Sequence, residues 1–141
     1  MPSFTRALVV MAWLVTLGVM AQAVLAGQAW FVSPELFGLH GGIGHGVLLL
    51  SVLLATFAWL AQTPRTVALL ATLSVVGLVG QTGLGYAGRR GELAVASAAH
   101  VPLGVAVLGL TVAVAVLLSV RAREERLEGS DGARSPEGAS A

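Results

Sequence analysis

The sequence predicts an all-α fold: a four-helix transmembrane bundle made of a duplicated helix hairpin. Composition is the first reason, since 56% hydrophobic and 11% charged residues with a mean hydropathy of +0.86 describe an integral membrane protein. Four apolar segments are the second, spanning about residues 4–26, 35–61, 65–87 and 92–120, each at or above the roughly 20 residues that cross hydrocarbon. The third is a repeated pattern. His40, Gly44, Val47 and Ser51 in the second segment are matched by His100, Gly104, Val107 and Thr111 in the fourth, and offsets of three and four residues lie on one helical face. The preceding segments repeat as well, with Gln22, Leu25 and Gly27 before His40 and Gln81, Leu84 and Gly85 before His100.

The first segment has Arg6 ahead of its apolar run, and Ala21-Gln22-Ala23 imitates a small-x-small cleavage site. Its run is longer than a signal-peptide core, and it is the repeat partner of the third segment, so it reads as a retained span. Ser33-Pro34-Glu35 opens the second segment with an N-cap, a proline at the first helical position and an acid in the first turn. Thr63-Pro64 serves the third in the same way. In the fourth, Pro102 follows His100 by two residues and either starts the regular helix or kinks one begun at Glu92. Residues 1–120 form one domain, and the charged, Gly- and Ser-rich stretch 121–141 reads as a disordered cytoplasmic tail.

Four spans put both termini on one side. Arg6, Arg65, Arg121, Arg123 and Arg126 flank that side, against Glu35, Arg89, Arg90 and Glu92 on the other, and the positive-inside rule then makes both termini cytoplasmic. Eight arginines without a lysine, beside abundant Ala, Gly and Val, fit a GC-rich bacterial genome and a multi-pass protein of the plasma membrane. A net charge of +1 with dispersed basic residues excludes a nucleic-acid surface. The absence of cysteine excludes disulfides, iron–sulfur clusters and covalent haem attachment. There is no paired carboxylate, base-oriented nucleophile or phosphate loop, so hydrolytic chemistry is not supported.

Intramembrane imidazoles need a partner, a cavity or a metal. In an up-down bundle the second and fourth helices are parallel diagonal neighbours, so His40 and His100 face each other across the core, spaced for a flat metal cofactor. His45 is five residues from His40, about 140° around a regular helix, and its repeat counterpart is Val105. Repeat logic therefore makes His40 and His100 the metal ligands and His45 the alternative. His45 otherwise bonds a backbone carbonyl or Gln22, or binds a quinone. Gly44 and Gly104 clear room for the cofactor or serve helix packing. Gln22 and Gln81 are placed to bond a ligating imidazole or to bridge helices. Arg89 and Arg90 are placed to pair with ligand carboxylates at the outer face. Trp13, Trp30, Trp59 and Tyr86 read as interfacial anchors.

The stretches AQAVLAGQAWF with LHGGIGH, and GQTGLGYAG with AAHVPLG, resemble one half of the haem A synthase family. That resemblance implies a bundle whose second and fourth helices hold a haem through His40 and His100. The chain departs from the family in having a single bundle and Gly41 where an arginine commonly follows the first histidine. The combined expectation is a membrane protein binding haem b at a bis-histidine site for electron transfer or haem holding, a carrier or binding module more than a complete enzyme. Its expected partners are the lipid bilayer and a quinone or membrane redox protein, as a homo- or hetero-oligomer. The competing expectation is a cofactor-free structural or assembly subunit.

Overall fold

The structure, a computed structural model, describes residues 2–91 and 94–134. Four helices follow in order: α1 (Pro2–Phe31), α2 (Leu36–Leu60), α3 (Arg65–Arg89) and α4 (Ala94–Arg134). Each is long and apolar enough to span a membrane. Every helix packs on its two neighbours in the cycle α1–α2–α3–α4, while among the described residues the diagonal pairs α1/α3 and α2/α4 bring no two Cα atoms within 8 Å. The bundle is therefore square, with short turns and both terminal helices beginning or ending on the same side.

The duplication is legible in the packing. Leu8, Ala12, Val15 and Val19 of α1 are buried, and so are Val67, Ala71, Ser74 and Leu78 of α3, each pair 59 positions apart. In α2 and α4 the buried sets are Val47, Ser51, Leu54, Ala55 and Ala58 against Val107, Thr111, Val114, Ala115 and Leu118, each pair 60 apart. A pseudo-twofold axis along the bundle relates the two hairpins, as in parallel membrane repeats. Two cross-hairpin bonds obey it: Trp13 Nε1 of α1 donates to Ser119 Oγ of α4, and Trp59 Nε1 of α2 donates to Thr72 Oγ1 of α3, both at 3.1 Å. Positions 13 and 72 are equivalent, as are 59 and 119, so one bond is made twice with the tryptophan on opposite helices. These two tryptophans act as interhelical staples.

Lipid is as apolar as leucine, so helix association rests on close packing more than on hydrophobic burial. Accordingly the interior favours small residues such as Ala12, Ala58, Ala71 and Ala115, while Leu17, Val24, Leu49, Leu73 and Val79 face outward. Gly18 and Gly77, again 59 apart, are the points of closest approach: a Cβ at either would sit 2.5 Å from a methyl of Val47 or Val107.

The turns differ from their expected chemistry. Ser33 does not cap α2, because its hydroxyl donates to the Glu35 carboxylate. The chain enters α2 through a run of i to i+3 bonds from Leu36, Phe37 and Gly38 to Ser33, Pro34 and Glu35. The Ser33 hydroxyl, and after it a backbone N–H, holds the exposed Glu35 carboxyl below its ordinary range. Thr63 turns backward, donating from Oγ1 to the Ala58 carbonyl at 3.0 Å. The backbone N–H groups of Thr63 and Gln62 reach Ala58 and Trp59, completing a Schellman motif with Gln62 at φ 51°. A side chain in that left-handed conformation costs about 1–2 kcal/mol. Gln62→Gly is expected to raise stability by about 1 kcal/mol, measured as a shifted midpoint of unfolding in mixed micelles; an unchanged or lowered midpoint would count against a strained turn.

Beyond Val120 the structure corrects the expectation of an unstructured stretch, since α4 continues to Arg134. Arg, Glu, Leu and Ala in RAREERLE are strong helix formers, and Arg121 Nε bonds Glu125 Oε1 one turn on at 2.9 Å. Residues 135–141 of the expected tail, and Glu92 of the charge pattern, lie outside the described residues.

Candidate functional site

The site is assembled in the half of the bundle away from the termini. Nearly all fully buried side chains lie in the other half; here only Ala29 and Ala96 are, whereas α2 from Leu36 to Gly46 and α4 from Ser97 to Ala106 have none. His40 lies about one turn into α2 and His100 about two turns into α4, and each is half-buried. Although no described Cα atoms of α2 and α4 lie within 8 Å of each other, these two rings face each other with centroids 6.5 Å apart and planes inclined by 57°.

Each histidine is tied to the preceding helix by its repeat glutamine. Gln81 Nε2 donates to the His100 carbonyl at 2.7 Å. With the Gln22 amide oriented so that nitrogen faces the carbonyl, Gln22 Nε2 donates to the His40 carbonyl at 2.7 Å as well. That orientation is assigned from the hydrogen-bond network, and the pseudo-twofold supports it, because the opposite one would set two acceptors face to face. Both bonds bridge neighbouring helices, one of the two roles the residue pattern offered, and the Gln22 amide nitrogen also comes within 3.0 Å of His40 Nδ1.

The glycines one turn later explain how the amides reach those carbonyls. A Cβ at Gly104 would lie 2.7 Å from Gln81 Nε2, and one at Gly44 would lie 3.2 Å from the Gln22 amide. The space beside each glycine thus admits a glutamine. Gly104→Ala is expected to expel the Gln81 amide from its carbonyl and cost about 1–3 kcal/mol for the stranded polar groups, with Gly44→Ala milder. Denaturation midpoints of the two variants test the order, and equal, negligible losses would contradict the wedge geometry.

The His40 ring is satisfied in either neutral tautomer. Its Nδ1–H donates to the Gln22 backbone carbonyl at 3.1 Å, or Nδ1 accepts from Gln22 Nε2 at 3.0 Å. The first leaves Nε2 with a free lone pair, the form a metal requires. The His100 ring lies edge-on to Gly85 of α3, whose Cβ would meet Cε1 at 3.4 Å and Nδ1 at 3.7 Å. Its Nδ1 is buried without a partner, as is Gln81 Oε1. Buried polar atoms are rarely left so, which marks this as the unsettled side of the site. Deeper on the same faces Ser51 and Thr111 are buried; Thr111 Oγ1 donates to the Leu108 carbonyl at 3.0 Å, whereas Ser51 Oγ is unpartnered.

His45 points elsewhere. Its Nδ1–H donates to the Gly41 carbonyl at 2.7 Å, and Nε2 accepts a long 3.4 Å bond from Tyr86 on α3, so the ring is anchored on the exposed α2–α3 surface and does not bond Gln22. Arg89 ends α3 and Arg90 begins the following turn, both exposed at the histidine end. Pro102 lies inside α4, where it cannot donate to the Ala98 carbonyl. Residue types alone disclosed His40, His100, Gln22, Gln81, Gly44 and Gly104. The role of Gly85 beside the His100 ring was not foreseen; at the 59-residue repeat spacing its counterpart is Ala26, so that spacing did not mark it.

Among the described residues no group of three or more His, Cys, Asp or Glu could hold a metal ion, so any metal here rests on the histidine pair and on ligands the metal brings. Residues 22–87 match the model of a family of unknown function, DUF6220, a stretch that contains Gln22, His40 and Gln81 and stops before His100. The chain matches no curated protein and no solved structure.

Proposed function

We propose that the protein binds one b-type haem between His40 and His100 and serves as a membrane electron carrier or haem-holding module. The observation that supports this most directly is the 6.5 Å separation of the two rings. A metal between two imidazole nitrogens at about 2.0–2.1 Å sets the ring centroids about 6.3 Å apart, allowing roughly 1.1 Å from each centroid to its nitrogen. The His40 tautomer compatible with ligation has its acceptor in place at the Gln22 carbonyl, and the His100 Nδ1 is buried without a hydrogen-bond partner.

His40 and His100 would hold the haem, which when bound would supply a one-electron iron couple suited to electron transfer. The chain's own contribution is to hold the rings: Gln22 and Gln81 fix the backbone of each histidine, and Arg89 and Arg90 offer cations to carboxylates at that end. The similarity of the histidine stretches to half of a haem A synthase points the same way, with one site where that family uses two. Five arginines at the terminal end favour cytoplasmic termini in a bacterial plasma membrane, so electrons would pass near the outer face to a quinone or a membrane partner. A cofactor-free assembly subunit is the second reading, favoured by the carbonyl bonds that already satisfy His40 and His45.

Purification in detergent from haem-replete cells, with reduced-minus-oxidised spectra and pyridine haemochrome analysis, separates the two. About one low-spin haem per chain is the expected result; a colourless, well-folded protein would overturn the proposal in favour of the assembly role.

A further inference from the structure

At the terminal end, α1 and α4 do not close completely. Between them lies a groove of about 540 Å³ lined by Arg6, Val9, Val10, Ser119, Ala122, Arg123 and Arg126. Arg6, Val9 and Val10 form one helical stripe and Ser119, Ala122, Arg123 and Arg126 another, by their i, i+3, i+4 and i+7 spacing. The deep end is closed where Trp13 donates to Ser119 Oγ, whose own hydrogen goes to the Ala115 carbonyl. Three arginines therefore line the groove together with apolar Val9, Val10 and Ala122. No acid lines the groove, and Arg121, the neighbouring arginine, is already paired with Glu125.

We propose that this groove binds an anionic phospholipid, its phosphate held by Arg6, Arg123 and Arg126 and its upper acyl chain laid along Val9, Val10 and Ala122. Guanidinium is matched to phosphate oxygens by its planar donor fork. Ser119 to Arg126 covers about 10 Å of helix axis at 1.5 Å per residue, which spans headgroup phosphate to the first part of the hydrocarbon. A free phosphate shares the headgroup chemistry but makes no use of the apolar walls. The repeat sharpens the assignment: Arg65 is the counterpart of Arg6, but α2 ends at Leu60, so no helical extension with arginines faces it. Among the described residues the groove lies where α4 outruns α2.

The test is native mass spectrometry of the full chain in detergent, titrated with dioleoylphosphatidylglycerol, dioleoylphosphatidylcholine or inorganic phosphate, with helicity of every variant checked by circular dichroism. One phosphatidylglycerol is expected to bind at least about tenfold tighter than phosphatidylcholine, and each of Arg6→Ala, Arg123→Ala and Arg126→Ala is expected to weaken it about fivefold. Arg65→Ala should leave binding unchanged, and Ala122→Phe, which fills the groove without altering charge, should abolish it. Equal weakening by Arg65→Ala and Arg6→Ala would overturn the site in favour of diffuse surface charge. Equal affinity for the two lipids would deny headgroup recognition, and displacement of the lipid by millimolar phosphate would make this an ion site.

Discussion

Alanine at His40 or at His100 is expected to abolish the low-spin haem spectrum, while His45→Ala retains it. Outer-shell changes around a metal typically cost 10–100-fold in affinity, and loss of a ligand itself should exceed about 100-fold, enough to empty the site during purification. His45 provides the internal control because it is an imidazole on the same helix, five residues away, whose Nδ1 is engaged with the Gly41 carbonyl and whose ring abuts Tyr86. Exogenous imidazole should partly restore the absorbance of His40→Ala or His100→Ala, a rescue that a merely structural histidine would not show. Loss of haem from His45→Ala with retention in His100→Ala would mean that the facing rings are a packing feature and that the cofactor, if any, sits on the α2–α3 surface.

The second large effect is expected where the hairpins close. Gly77→Ala drives a Cβ to 2.5 Å from Val107 Cγ2, and valine, branched at Cβ and buried, has few rotamers with which to yield. Overpacking of this kind costs about 1–3 kcal/mol. Adding Val107→Ala should recover most of the loss, giving a coupling of about 1 kcal/mol or more in a double-mutant cycle. Gly18→Ala with Val47→Ala should behave alike, since the same 2.5 Å approach recurs there. Unfolding in mixed micelles measures all of these, and additive losses in both cycles would show that the helices separate more freely than their packing implies.

How far the fold was legible from residues alone can be followed at single positions. The four spans and the histidine repeat are compositional and periodic, and neither needs a neighbour to be read. The inward faces were not legible in that way. Each helix is apolar all round, so a hydrophobic stripe does not distinguish lipid from core, and what marks the interior is small size at Ala12, Gly18, Ala71 and Gly77. Trp13 and Trp59 looked like interfacial anchors because tryptophan is common there. Their partners, Ser119 and Thr72, lie on other helices at 106 and 13 residues' separation, so the staples exist only once the bundle is assembled. Gly44 and Gly104 were visible as a repeat, but whether the room beside them belonged to a cofactor or to a glutamine depended on where α1 and α3 pass.

Length, hydropathy and repeat spacing by themselves determined four spans, two equivalent hairpins and one histidine per hairpin at matching depth, because those properties follow from helical rise and membrane thickness. Only the tertiary structure decided that the rings of His40 and His100 come to 6.5 Å with planes inclined by 57°, and that the glutamines take the glycine-lined space. The reason is physical: in a lipid-facing bundle, steric fit and buried hydrogen bonds choose the rotation of each helix, and both are properties of pairs of helices.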